Sequence, residues 1–166
     1  MPSASFTRRI PHGPDALLEM VADVEKYPEF IGFVAALRVT KRKSEAEYEA
    51  EAVVAYKMLR ETFRSKAKID RAARTIHVSK AQKGGAVKAL ENRWVFHALP
   101  DGTTLVEFFV NVSLAIAPLN FLLREKMSKA SDVIMGAFEA RAAQVCPPVV
   151  AADLDMAAEH ERLGLA

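Results

Sequence analysis

Charged and uncharged side chains alternate with a period of two along the middle of this chain. Residues 47–52 alternate glutamate with tyrosine or alanine, and the apolar positions continue to Met58. In residues 63–69, three cations alternate with Phe63, Ala67 and Ile69. Because successive side chains of a strand point to opposite faces, each segment predicts an antiparallel strand with one charged and one apolar face. The acidic face of one strand can lie beside the basic face of the other, which would set their register.

Other segments carry similar strand signals. Ser5–Ile10 is a short candidate strand, and residues 75–81 form another. Residues 90–96 and 106–114 alternate apolar with polar side chains on either side of Asp101-Gly102, which is a hairpin signal. We expect consecutive strands to pair as antiparallel neighbours.

Two helices flank this run of strands. Residues 13–15 open the first helix, whose apolar residues recur at helical spacing from Leu17 to Val24. Pro28 is expected to end or bend it, because the residue before a proline avoids the helical region. Residues 27–33 are then a turn rich in aromatic side chains.

The last predicted element is a helix of about 25 residues that starts at Pro118 and stops before Pro147-Pro148. Its apolar stripe, with interruptions, consists of Leu119, Leu122, Leu123, Lys126, Ala130, Val133, Ile134, Ala137, Phe138 and Arg141.

The order of these elements predicts an α+β fold in which a curved antiparallel sheet wraps around the long C-terminal helix. The apolar faces of the strands need a cover, and this helix carries the longest apolar stripe. We expect one domain over residues 1–146 and a tail, residues 147–166, that is a loose helix or disordered. A sheet bent around one helix need not close completely, so the gap between them is a natural ligand cavity.

Composition limits the classes of function. The 23 basic and 21 acidic residues give a net charge of +2, which is too even to indicate a nucleic-acid partner, and we expect no DNA binding. Cys146 is the single cysteine, so no intramolecular disulfide can form and a reducing compartment is expected. No apolar run reaches the roughly 18 residues that span a bilayer. Met1–Ile10 also lacks the apolar core of a secretory signal.

Known catalytic and metal-binding patterns do not occur in the sequence. It has no glycine-rich phosphate loop and no Gly-x-Ser-x-Gly elbow. The four histidines are not spaced with other ligands as in a metal site. His97 is expected on a solvated strand face, and Cys146 is expected to be a bystander thiol. We therefore expect no catalytic residue, no metal and no required cofactor.

Asn92 is the most informative polar residue. It shares the alternation class of Trp94 and Phe96, so it should face inward, where its amide either bonds the backbone or anchors a ligand head group. Tyr56 is the other inward polar candidate. The residues predicted to contact a ligand are Tyr27, Phe30, Phe33, Val54, Tyr56, Met58, Phe63, Asn92, Trp94, Phe96, Phe108, Val110, Val112, Ile134 and Phe138.

The most apolar stretch, residues 115–123, crosses the junction between the last strand and the long helix, and Arg124 and Lys126 follow it. One interpretation is core packing. The other is a cavity lip that touches a membrane surface. The candidate membrane contacts are Ile116, Leu119, Phe121 and Leu122.

Several segments resemble the coenzyme Q-binding START-like proteins. Residues 24–30, Val-Glu-Lys-Tyr-Pro-Glu-Phe, are similar to that family's turn between first helix and sheet, and residues 90–96, Leu-Glu-Asn-Arg-Trp-Val-Phe, to its central strand. Residues 108–113 and 136–142 resemble its last strand and the end of its long helix. That family belongs to the helix-grip superfamily, also called polyketide cyclase/lipid-transport-like, so the resemblance implies a helix-grip fold.

The resemblance also implies a function. It implies non-catalytic binding of ubiquinone or a related polyprenyl lipid, in support of respiration or quinone biosynthesis, by a cytoplasmic protein with a peripheral contact to the inner membrane. A related branch implies a ribosome-associating toxin that binds the large subunit and blocks subunit joining. The superfamily's third implication is a polyketide aromatase/cyclase. The near-neutral charge argues against a ribosomal-RNA role, and Asn92 and Tyr56 are the only inward groups identified for a cyclase.

Overall fold

The computed structural model describes residues 3–56, 59–81, 87–115 and 117–165, with the backbone alone at 56, 59, 117–120, 122 and 123. The elements follow in the order β1 (Ser3–Ile10), α1 (Pro14–Ala22), a 3-10 helix (Val24–Glu29), β2 (Val34–Arg42), β3 (Glu47–Tyr56), β4 (Leu59–Asp70), β5 (Thr75–Lys80), β6 (Val87–Ala98), β7 (Thr104–Leu114), α2 (Ala117–Val145) and α3 (Met156–Arg162).

The strands form one seven-stranded sheet in the order β1-β7-β6-β5-β4-β3-β2, and every pairing is antiparallel. Consecutive strands from β2 to β7 are neighbours, and β1 closes the order against β7. This arrangement confirms the predicted α+β fold with a curved antiparallel sheet and a long C-terminal helix.

The alternating charges of β3 and β4 meet on the outer face of the sheet, as predicted. Glu49 pairs with Lys66 and Glu51 with Arg64 in the register, and the Arg64 Nε lies 3.5 Å from a carboxylate oxygen of Glu51. Tyr48 and Ala50, on the opposite face, are buried. The period of two therefore assigned both faces of this hairpin correctly.

The helix α2 is tied to the sheet by a charged residue on the inner face of β1. Arg8 pairs with Val106 in the register, and Val106 is buried on that face. The guanidinium of Arg8 lies 3.3 Å from both the Asp132 and the Glu139 carboxylates of α2. These ion pairs hold the helix along the edge of the sheet where β1 lies.

The buried stripe of α2 differs from the predicted one. The side chains that face the sheet are Met127, Ser131, Met135, Phe138 and Ala142, which recur at steps of three or four residues. The predicted stripe wrongly included Val133, which is 62% exposed, and Lys126, which is also exposed. Both lie off the 3.6-residue repeat that passes through Phe138.

The first helix ends earlier than predicted. It stops at Ala22, and Pro28 lies inside the following 3-10 helix rather than at the end of α1. Two tyrosine hydroxyls account for this end: Tyr27 donates to the carbonyl oxygen of Val21, and Tyr48 donates to that of Ala22 at 2.8 Å. They satisfy carbonyls that another helical turn would have used.

Burial raises the pKa of both hydroxyls. The pKa of Tyr27 lies well above its ordinary value, and that of Tyr48 is raised from 10.0 to about 12, chiefly because the phenolate would lose its hydration. Both groups therefore remain hydrogen-bond donors over the physiological pH range.

The C-terminal tail, expected to be a loose helix or disordered, contacts the domain at several points. The Val149 N–H donates to the Pro11 carbonyl at 3.0 Å, and the Ala152 N–H donates to an Asp101 carboxylate oxygen at 2.8 Å. The Thr103 hydroxyl, 2.6 Å from the other Asp101 oxygen, is the largest cause that lowers the pKa of that carboxyl. The short helix α3 follows, with Asp155 as its N-cap.

We predict that Tyr48→Phe lowers the free energy of unfolding by about 1 kcal/mol near pH 8, because the carbonyl of Ala22 loses its donor. Tyr48 holds its proton to higher pH in the folded protein than in the unfolded chain, so wild-type stability falls as pH rises from 10 towards 12. The phenylalanine variant lacks this term, and the difference between the two proteins should shrink and then reverse. Urea unfolding at several pH values measures it. A difference that stays constant from pH 8 to 12 contradicts the prediction.

Candidate functional site

The inner face of the sheet is buried at one end and partly exposed at the other. We call the buried part the closed end; its inner-face residues are Tyr48, Ala50, Ala67, Ile69, Ile76, Trp94, Phe96, Val106 and Phe108. We call the partly exposed part the open end; its inner-face residues include Val54, Phe63, Val78, Leu90, Asn92, Val110 and Val112.

The change from buried to partly exposed residues occurs at the same register position on three neighbouring strands, β5, β6 and β7. Trp94 and its cross-strand partners Ile76 and Phe108 are all buried. One step further along the inner face, Asn92 and its two cross-strand partners, both valines, are all partly exposed. Three inner-face residues depart from this pattern. Val34 of β2, Ala52 of β3 and Val87 of β6 are buried, although they pair with the partly exposed Val54, Phe63 and Leu114.

The length of α1 explains why only one end is closed. Leu17, Leu18 and Val21 of α1 belong to the same buried cluster as the closed-end residues. A helix of nine residues is only about 14 Å long, whereas a strand of 12 residues, such as β4 or β6, runs for about 40 Å. The helix α2 has 29 residues and is about 44 Å long, so it is long enough to extend along the full length of these strands.

Aromatic rings fill the closed end. Phe138 of α2 lies 5.3 Å from Tyr27, 5.2 Å from Phe30 and 5.0 Å from Trp94 between ring centroids, and all three contacts are edge-to-face. Trp94 also meets Phe108 at 4.8 Å. These five predicted ligand-contact residues therefore pack chiefly against one another and form the floor of any cavity.

The structure separates the remaining predicted contacts into two groups. Phe96 is buried at the closed end, and Phe33 and Ile134 are partly buried against the core. The predicted residues that it brings together at the open end are Val54, Phe63, Asn92, Val110 and Val112. The Tyr56 side chain and Met58 lie outside the described residues.

Asn92 is the one predicted polar contact whose surroundings are described. Its Oδ1 atom is buried and accepts no hydrogen bond from any described residue. The interpretation that this oxygen repairs the sheet through a backbone bond is therefore wrong. A buried acceptor without a donor costs about 1–3 kcal/mol.

Several polar residues on the inner face were not identified from the sequence, and Arg8 of β1 is one of them. Glu61 pairs with Val54, and Ser65 pairs with both Ala50 and Lys80, so these three polar residues all point to the same side as the core. The expectation that Asn92 and Tyr56 are the only inward polar groups is therefore wrong. Counting two residues back from Phe63 gives Glu61, and counting four residues forward from Ile76 gives Lys80, so the period of two would have identified both charged residues.

Two other sequence expectations need correction or detail. His97 lies on the outer face as expected, but it is not freely solvated: its Nε2 is 3.0 Å from a Glu107 carboxylate oxygen, and its side chain is 17% exposed. The thiol of Cys146 is buried near the Ala16 carbonyl, and burial raises its pKa. Within the described ranges, no group of three His, Cys, Asp or Glu side chains is placed to hold a metal ion.

A surface recess of about 280 Å³ lies at the C-terminal end of α1, away from the open end. Glu19 and Arg71 in its wall form an ion pair with a 2.6 Å contact, and the buried Tyr48 also lines it. Charged side chains make up much of its wall, which makes it a poor match for an apolar ligand.

The start of α2 presents an exposed aromatic ring among cations. Phe121 is 59% exposed, and Arg124, Lys126 and Lys129 on the following turns are exposed too. Of the other predicted membrane contacts, Ile116 and the side chains of Leu119 and Leu122 lie outside the described residues. No helix in the described part of the chain is long and apolar enough to cross a bilayer.

We predict different stability costs for two phenylalanines on the same face of the sheet. Phe108→Ala at the closed end should lower the free energy of unfolding by about 3–5 kcal/mol, as for a fully packed ring. Phe63→Ala at the open end should cost less than about 2 kcal/mol, because its ring is already partly exposed. Urea denaturation of the two variants makes the comparison. Equal costs would mean that the open end is packed as tightly as the closed end.

Comparison with known proteins agrees with this architecture. The family model described as "Polyketide cyclase / dehydrase and lipid transport" matches residues 10–139. The ribosome association toxin RatA of Rickettsia prowazekii is 28% identical over 87% of this chain and 99% of its own length. The mitochondrial coenzyme Q-binding protein coq10 of Schizosaccharomyces pombe is 27% identical over 78% of this chain and 80% of its own length.

Solved structures show the same fold. The Zhui aromatase/cyclase from a Streptomyces species superimposes with a TM-score of 0.75 at 15% identity, over 86% of this chain and 93% of its own. An 18 kDa protein of Caulobacter crescentus has a TM-score of 0.71 at 34% identity, over 87% of this chain and 97% of its own. The resemblance read from the sequence is thereby confirmed, and the chain belongs to the polyketide cyclase/dehydrase and lipid transport family, with its helix-grip fold.

Proposed function

We propose that this chain binds a polyprenyl lipid, with ubiquinone as the expected ligand, at the open end between the sheet and α2, without catalysing a reaction. The observation that carries the proposal is the burial boundary across the inner face. Apolar side chains beyond that boundary are partly exposed although they lie on the inner face of the sheet. Such a partly exposed apolar face is stabilised when a ligand removes it from water.

An isoprenoid tail suits this face energetically. Each apolar carbon removed from water contributes about 0.8 kcal/mol, and the binding requires no charged partner. Phe63, Val110 and Val112 supply apolar wall, and the aromatic floor at Trp94 limits how deep a tail can reach. A lipid carrier in respiration or quinone biosynthesis needs these properties and no catalytic group.

The relatives support this proposal to different degrees. The coq10 protein is named for coenzyme Q binding, and this relative aligns with most of the chain. RatA supports the alternative of a ribosome-associated toxin. The inward Glu61 favours the second alternative, an aromatase/cyclase, because such an enzyme needs an acid or base that faces the ligand.

The experiment is organic extraction of the protein purified from a quinone-producing host, followed by mass spectrometry. We predict near-stoichiometric ubiquinone or a related polyprenyl lipid in the wild type. Val112→Trp should lower the amount several-fold, because the larger ring fills the open end. Thr62→Trp, on the exposed outer face of β4, is the matched control and should retain the lipid.

Other results would point to the alternatives. An extract without lipid, together with co-sedimentation of the protein with the large ribosomal subunit, contradicts the proposal and favours the toxin. Turnover of a poly-ketone substrate that stops with Glu61→Gln favours the cyclase.

A carrier of this kind also needs access to a membrane, and we place that contact at Phe121. Phe121→Asp should abolish co-sedimentation with liposomes that contain anionic lipid, because it removes an exposed ring and adds a negative charge beside Arg124 and Lys126. Val133→Asp is the control: it changes an equally exposed residue about 18 Å further along α2 and should leave liposome binding intact. Equal loss in both variants, or no binding by the wild type, contradicts this membrane contact.

A further inference from the structure

We propose that the open end selects ligands whose head group carries a hydroxyl, such as a phenol or the reduced, hydroquinone form of a quinone. Ligands whose head-group oxygens are only carbonyls or ethers should bind less tightly. This inference rests on the proposed function, since it concerns the head group of the same bound lipid. The observation behind it is the orphaned acceptor on Asn92.

None of the inner-face neighbours of Asn92 donates a hydrogen bond to its oxygen. Its cross-strand partners are Val78 on β5 and Val110 on β7, and its neighbours on the same face of β6 are Leu90 and Trp94. The two valines and the leucine carry no donor, and the indole N–H of Trp94 makes no hydrogen bond to the Oδ1 atom.

The nearest cation on this face does not satisfy the oxygen either. Lys80 lies two residues beyond Val78, which makes it a diagonal neighbour of Asn92, with Cα atoms about 7–8 Å apart. Asn92 Oδ1 nevertheless accepts no hydrogen bond from it. The missing donor must come from outside the described residues, and a ligand in the open end can supply it.

The chemistry of the two redox forms then differs at this oxygen. A hydroquinone carries two O–H groups, and either can donate to Asn92 Oδ1. The oxygens of a quinone head group are carbonyls and ethers, which only accept hydrogen bonds. Such an oxygen next to Asn92 Oδ1 would bring the lone pairs of two acceptors together. A hydrogen bond that relieves a buried, unsatisfied acceptor favours the hydroxylated ligand by about tenfold in affinity.

The test uses two ligands that are stable in air and differ by one donor: 4-hexylphenol and its methyl ether, 4-hexylanisole. Titration calorimetry with protein stripped of lipid should give a dissociation constant about tenfold lower for the phenol. The comparison is stringent, because the ether has one more apolar carbon and would otherwise bind more tightly.

Two variants assign the preference to Asn92. Asn92→Leu removes the acceptor with little change in volume, so the ratio of the two dissociation constants should fall to about one or below. Thr62→Val, which removes a hydroxyl from the outer face of β4, should keep the wild-type ratio. Circular dichroism checks that both variants are folded, and the wild-type ratio stands independently of either.

Each remaining outcome overturns the inference in a distinguishable way. Equal binding of phenol and ether by the wild type refutes the hydroxyl preference and leaves lipid binding intact. Tighter binding of 4-hexylacetophenone, which carries only an acceptor, would mean that Asn92 presents its N–H groups instead. If none of these ligands binds, the proposed function fails along with the inference.

Discussion

The edge-to-face contact between Phe138 and Trp94 fixes where the sheet and α2 come together. The two ring centroids are 5.0 Å apart, and each ring also packs against further aromatic residues. Beyond Trp94 on the inner face, Val78, Asn92 and Val110 are partly exposed, and the proposed ligand site depends on that exposure.

Polar contacts reinforce the same end of the molecule. Among the described residues, the hydrogen bonds that join α2 to other elements start at Asp132, more than halfway along the helix, and continue through Glu139 and Arg141. Tyr48 adds a bond to the end of α1, and Asp101 binds the C-terminal tail near the β6–β7 hairpin. These contacts stabilise the closed end. A ligand site next to so rigid a floor needs little reorganisation when the ligand binds.

The faces of the strands could be predicted from the sequence, because a period of two leaves only two registers and one of them buries charge. Glu61 and Lys80 were not assigned to the inner face from this alternation. Each lies where a series of apolar residues ends, and charged residues were interpreted as outer surface. The end of α1 could not be predicted, because it depends on tyrosine hydroxyls that reach it from elsewhere in the fold. The burial boundary could not be predicted from the sequence either, because it depends on how far a short helix extends across long strands.

The central claim is that a ligand chain lies beyond Trp94 between the sheet and α2. Nuclear Overhauser effects between a bound decylubiquinone chain and the valine methyls of labelled protein test it most directly. The account predicts cross-peaks to Val78 and Val110, which are partly exposed, and none to Val21 or Val106, which are buried in the closed end. Cross-peaks to the buried pair, or to neither pair although the ligand is bound, would contradict it.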